Sequence, residues 1–301
     1  MMGYPPIIVA ERFTRLPTEY HYTGEPNAWV RMTRPGQRLH SFLEGPCFDK
    51  SGALWVTDVP YGRVFRIGPT GRWELALAYD GEPHSIKLDK NGGFLIADYR
   101  KGLLRFDANA KTTSLIADGI NSERFRGLSD LAVAPDGDLW ITDSGRTSLS
   151  DPTGRVLRYR ADGTLDLILA NVPYPNGIAV SPNGSFVYVA ATRANAVWRF
   201  LANAPDPVFP MVGTYIQLSG GLGPDGLAVA DDGCLAVAHA QAGRAYVFDE
   251  LGDPIAQVRV PEGLWVTSLA FGGVNQNLLY IVEAQTGSIY QADLSELRGS
   301  K

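Results

Sequence analysis

Only two cysteines, Cys47 and Cys234, occur among the 301 residues. Two thiols make no disulfide framework, and their separation matches no paired metal-binding spacing. With so few cysteines, a reducing, cytoplasmic compartment is expected. Histidine is almost as scarce, with four in all, which argues against a histidine-rich zinc site. No Lys/Arg run exceeds two residues and the formal net charge is −5, so a basic nucleic-acid footprint is excluded. No apolar stretch approaches the roughly 18–20 residues of a membrane helix. The opening Met1-Met2-Gly3-Tyr4-Pro5-Pro6 lacks the charged and apolar regions of a secretory signal. Long amphipathic helical patterns are also missing. What is abundant is turn-forming residue, 33 Gly and 20 Pro, beside a 45% hydrophobic content that is ample for a folded core.

The turns recur. Ser51-Gly52, Asn91-Gly92-Gly93, Asp136-Gly137, Asn183-Gly184 and Asp232-Gly233 punctuate short apolar runs at intervals of 40, 45, 47 and 49 residues, and a sixth turn falls near Asn275-Gln276-Asn277. Each turn is followed by a β-branched or aromatic run, such as Leu54-Trp55-Val56-Thr57-Asp58, Leu139-Trp140-Ile141-Thr142-Asp143 or Leu279-Tyr280-Ile281-Val282-Glu283. A further alternating run comes next, as in Arg63-Val64-Phe65-Arg66 and Val197-Trp198-Arg199-Phe200. Such runs read as half-buried strands. Six units of about four strands predict an all-β, six-bladed β-propeller with a central metal-binding channel, one domain over residues 1–301. Only three strands follow the last turn, so the segment 29–42 is expected to complete that blade and remove its open edge. The longer segments 118–128, 144–154 and 201–223 are expected to be surface or binding loops.

Eight residues before each turn glycine stand Glu44, His84, Ser129, Asn176 and Asp225, and the same register gives Ser268 in the last unit. Each opens the innermost strand of its unit, so together they should ring one mouth of the channel. Taken singly, Asn-Gly and Asp-Gly are ordinary turn chemistry. Converging on a narrow channel, two acids and an amide stay unsatisfied unless something bridges them. A divalent cation does so: Glu44 and Asp225 balance its charge, Asn176 offers a carbonyl oxygen, and Ser129 a hydroxyl, directly or through water. These are hard oxygen donors of the kind calcium prefers; zinc, magnesium and manganese are alternatives. His84 either assists proton transfer, holds a substrate oxygen or is a hydrogen-bonded channel residue. A second ring, Asp58, Asp98, Asp143 and His239 with Glu283 one residue off register, is expected to accept backbone or arginine bonds across blades, with tuning of the metal as the alternative.

Glu44-Gly45-Pro46 with Leu54-Trp55-Val56-Thr57-Asp58, Pro175-Asn176-Gly177-Ile178, Pro224-Asp225-Gly226-Leu227 and Phe271-Gly272-Gly273 resemble the senescence marker protein, gluconolactonase and luciferin-regenerating enzyme family over residues 40–292. The resemblance implies a calcium-dependent hydrolase of sugar lactones and related esters. It implies Glu44, Asn176 and Asp225 as metal ligands, with Asp225 also the general base. Where the family pattern has Asn-Asp, this chain has Ser129-Asp130, and Gly127 stands where some members have a sugar-binding arginine. Arg126, Tyr99, Arg146 and Tyr174 lie near the mouth loops as candidate contacts for a small lactone or ester. Two rival readings remain: an esterase or phosphotriesterase-like hydrolase on the same site, and a non-catalytic binding propeller.

Overall fold

A computed structural model describes residues 5–203 and 210–298. The recurrent turns are tight reversals. At the first of them, Asp49 Oδ1 accepts from the backbone amides of Ser51 and Ala53, and Gly52 adopts φ +78°, a conformation that costs glycine little. The turn joins Leu43–Phe48 to Leu54–Asp58, and Arg63–Ile67 and Trp73–Ala78 complete an antiparallel four-stranded blade.

The pattern repeats in five further blades, giving a six-bladed β-propeller. Their innermost strands are Pro83–Leu88, Leu128–Val133, Pro175–Val180, Gly223–Val229 and Val266–Gly272. Each innermost strand contacts that of the next blade, and the sixth contacts the first, so the ring closes. The cores lie between blades. Trp140, 1% exposed, packs with Ile178, Val187, Val189 and Phe200 between the third and fourth.

The closure differs from the sequence expectation. The fourth strand of the last blade is Glu11–Arg15, antiparallel to Ser288–Asp293. Ile7–Val9 adds a fifth, parallel strand to the preceding blade, beside Pro254–Arg259. Segment 29–42 closes nothing. Asn27 accepts from the Val30 amide at 3.0 Å and caps a short helix, Ala28–Thr33, which ends before Pro35-Gly36. Its buried Trp29 and Val30 pack on Phe42, Val59 and Ala284, so the helix rests over the first and sixth blades.

Of the long segments, 118–128 contains the small hairpin Gly119–Ile120 with Glu123–Arg124. Segment 144–154 carries a tight turn bridged between Ser148 and Asp151. Segment 201–223 includes 204–209, which lie outside the described residues, and supplies Gly213–Gln217 as the outer strand of the fourth blade. Among the described residues, no helix is long and apolar enough to cross a membrane.

Candidate functional site

Every innermost strand breaks register with its neighbour at one place. The breaks span Glu44–Cys47, Pro83–Ser85, Leu128–Leu131, Pro175–Ile178, Pro224–Leu227 and Val266–Ser268. A β-bulge re-aims the side chain it carries, and the first five breaks hold Glu44, His84, Ser129, Asn176 and Asp225. The glycine after three of these lets neighbouring strands approach closely. A Cβ on Gly177 would lie 2.3 Å from the Asp225 carbonyl oxygen, and one on Gly45, at φ +45°, 2.4 Å from Ser85 Cα. The glycines thus let the ring stay narrow.

The sixth position needs correction. The bulge places Thr267 in the ring register, where its Oγ1 donates to the Leu43 carbonyl at 2.9 Å and ties the last blade to the first. Ser268 lies one residue further along, and neither lines the channel mouth. Counting from the turn fails because that turn is the 3-10 segment Val274–Gln276 rather than a glycine reversal.

All five remaining ring residues line one cavity of about 700 Å³, together with Tyr99, Arg146 and Tyr174. Asn176 Nδ2 donates to Asp225 Oδ1 at 2.5 Å. Burial, and then the charges of Asp225 and Asp130, raise the Glu44 carboxyl well above its usual range. Asp225 is raised as well, by burial first and Asp130 second, against partial compensation by Arg34. Burial lowers His84 to about 4, so its imidazole is neutral at pH 7, and Nε2 has no partner. Ser129 Oγ lies 2.7 Å from Ser144 Oγ. Tyr174 is held at φ +60°, a strained conformation for a non-glycine residue. Burial raises its phenol to about 12, with smaller contributions from Tyr99 and Asp225. Arg126 is the predicted contact that the structure leaves outside: its guanidinium binds the Thr153 carbonyl, and it does not line the cavity.

Three contributors escaped the sequence reading. Asp130, next to Ser129, accepts from the Leu131 amide at 2.8 Å and the Ile178 amide at 3.1 Å, fixing a third acid beneath the mouth. Arg34 follows the short helix and lies 3.5 Å over the Trp265 ring and 4.9 Å over Phe42. Burial lowers its pKa, while Asp225, Tyr174 and Glu44 act against that. Arg193 approaches the Tyr174 ring at 5.7 Å from the turn Thr192–Ala194. The one available signal for Arg34 was the punctuation Asn27…Pro35-Gly36 of a short helix.

The second ring is structural and acts mainly within blades. Asp58 accepts from the Phe42 amide at 2.7 Å and from Arg63. Asp98 binds the Glu82, Arg100 and Lys101 amides and the Tyr79 hydroxyl. Asp143 binds the Arg126 and Gly127 amides and Arg155. Glu283 accepts from the Trp265, Gln285 and Thr286 amides, and His239 contacts the Gly220 carbonyl. Each anchors a loop leading into its own blade, and Asp98 also ties in Tyr79 at the end of the first blade.

The donor set suits a hard divalent cation. Its carboxylates are desolvated beside each other, and only oxygen donors are offered by Glu44, Asp225 and the Asn176 carbonyl. Among the described residues no three His, Cys, Asp or Glu side chains gather as a metal cluster, so the set depends on the amide as its third member.

Comparison with known proteins adds the lineage. Over 250 residues the chain is 28% identical to the lactonase drp35 of Staphylococcus aureus, covering 79% of this chain and 74% of that one. The Staphylococcus epidermidis lactonase drp35 matches at the same identity and coverage. Among solved structures, regucalcin of Agrobacterium tumefaciens, described as a calcium-binding protein, superimposes with a TM-score of 0.75 at 22% identity, over 96% of this chain and 95% of that one. A gluconolactonase of Xanthomonas campestris gives 0.74 at 22% identity, over 84% and 86%. Residues 42–285 match the SMP-30/Gluconolactonase/LRE-like region, and the chain belongs to that family.

Proposed function

We propose that the protein is a divalent-metal-dependent lactonase, with calcium the preferred ion, and that Glu44, Asn176 and Asp225 hold the cation. The observation that carries this reading is the convergence of these three side chains on one cavity, with both carboxyls raised by burial and by neighbouring acids. Its support from relatives is the lactonase drp35 named above. When bound, a divalent cation supplies Lewis acidity at the ester carbonyl.

The chain's own groups do the rest. Asp225, held at the mouth beside Asn176, takes the proton of the attacking water. Water oxygen bonds to the carbonyl carbon, the ring C–O bond breaks, and Asp225 returns the proton to the departing oxygen, giving a hydroxy acid. General-base help of this kind is worth about 10²–10⁴-fold. His84, neutral and lining the cavity with a buried, unpartnered Nε2, hydrogen-bonds a substrate oxygen if its ring turns toward the ligand. Tyr99 and Tyr174, both kept as neutral phenols by burial, offer hydroxyl donors. Ser129, already bonded to Ser144, completes the wall.

The test is hydrolysis of a panel of γ- and δ-lactones, simple esters and phosphotriesters before and after chelation. Lactone opening that is lost on chelation and restored by calcium supports the reading. Activity that survives complete chelation contradicts it, and turnover confined to phosphotriesters transfers the site to a different reaction.

A further inference from the structure

Six charged side chains line the cavity: Glu44, Glu82 and Asp225 against Arg34, Arg146 and Arg193. Glu82 already has Arg100, at 3.6 Å. With Glu44 and Asp225 committed to a cation, the arginines are left without matching anions. Among the described residues, none of the three forms an ion pair within 4.0 Å, whereas Arg63, Arg155 and Arg158 are each paired to an aspartate. Asp225 and Glu44 act on Arg34 only through space, as Glu82 does on Arg146, and the direct contacts of all three are aromatic or neutral. Arg34 lies over Trp265, Arg193 approaches Tyr174, and Arg146 bonds the Tyr99 hydroxyl and reaches Thr33 Oγ1 at 3.5 Å.

The three come from separate elements: the end of the short helix, the 144–154 segment and the Thr192–Ala194 turn. They nonetheless converge on one residue. Tyr174 exchanges electrostatic influence with all of them. Its φ of +60° is a strain that the surrounding structure must maintain. Three guanidiniums around one fixed phenol, in the same cavity as the cation donors, fit a ligand with two acceptor groups. One is the ester carbonyl. The other is an anion with the planar, bidentate geometry that guanidinium forks match.

We propose that the substrate is a lactone bearing a carboxylate outside the ring ester, and that Arg34, Arg146 and Arg193 hold this carboxylate on the cavity wall beside Tyr174. The inference rests on the lactonase reading and narrows its substrate class. Ring opening of such a compound yields a hydroxy dicarboxylate, so the reaction supplying the substrate must be one that makes acid lactones.

The experiment compares a γ-lactone carrying a ring carboxylate with the same lactone carrying a carboxamide, using calcium-loaded protein. The carboxylate form is expected to have the higher kcat/KM by about 10–100-fold, the range of a charge-assisted hydrogen-bond set. Arg34→Gln, Arg146→Gln and Arg193→Gln should each reduce that ratio several-fold, chiefly through KM, and added salt should reduce it further. Arg146 and Arg193 are exposed, so these variants keep the test alive if Arg34→Gln disturbs the packing on Trp265. Calorimetric binding of the hydroxy dicarboxylate product gives a readout independent of turnover, and it should weaken in Arg193→Gln. A ratio of one or less with both lactones hydrolysed, or a ratio insensitive to all three substitutions, overturns this inference and leaves the lactonase reading standing. No hydrolysis of any lactone, together with no product binding, removes both.

Discussion

Glu44 and Asp225 are acids that the fold forces together. Burial raises both carboxyls, Asp225 pushes Glu44 further toward the protonated form, and Asp130 acts on both. Removing one charge should therefore abolish cation binding and cut lactone turnover by at least about 10²-fold. We expect this of both Glu44→Gln and Asp225→Asn, measured as kcat/KM at saturating calcium. Such variants should not be less stable than the metal-free wild type, because they relieve buried repulsion; thermal melts check this. His84 gives a pH signature. Burial lowers its pKa to about 4 in the folded protein, below the ordinary imidazole value of about 6.5. Above 6.5 neither state is protonated and no stability is lost. As pH falls the unfolded chain takes the proton first, so stability declines between about 6.5 and about 4. The bound on this loss is about 3 kcal/mol. Urea melts across that window should show a shallower decline for His84→Gln than for the wild type, and equal declines would contradict the assignment.

At the scale of elements, the bulged opening of each innermost strand determines what points into the channel. Its fixed offset from a glycine turn made Glu44, His84, Ser129, Asn176 and Asp225 legible in the sequence, since chain geometry repeats with the turn. The offset failed where the last turn is a 3-10 segment, shifting Ser268 to Thr267. It also could not show that Asp130, outside the ring register, shapes the electrostatics. The acids of the second ring hold loops. Asp143 is fully buried, and its carboxylate joins Arg155, 4% exposed, to the Arg126 and Gly127 amides. Asp143→Ala should strand a buried guanidinium and cost about 3–5 kcal/mol, read as a lower urea midpoint. A change below about 1 kcal/mol would show that the pair is not needed for loop anchoring.

Across the whole molecule, closure is non-local, which is why it could not be read from sequence spacing. Glu11–Arg15 pairs with Ser288–Asp293, and no local pattern in either segment announces the other. The helix that was expected to be a strand instead carries Arg34 and Trp29 to the cavity, so the N-terminal segment both supplies the latch strands and roofs the site. A chain beginning after Leu16 should lose the latch strands and expose the edge of the last blade. At about 2–4 °C per kcal/mol, a loss of about 3 kcal/mol lowers Tm by about 6–12 °C, and self-association should follow on size-exclusion chromatography. An unchanged Tm would mean that the propeller is held closed without these strands.

In the reading proposed above, one divalent cation is held by two acids and an amide at the channel mouth. Calorimetric titration of chelated protein with calcium tests it most directly. One ion should bind per chain, with binding abolished in Asp225→Asn and in Glu44→Gln. Calcium that fails to bind the wild type, or binds all three proteins equally, would contradict it.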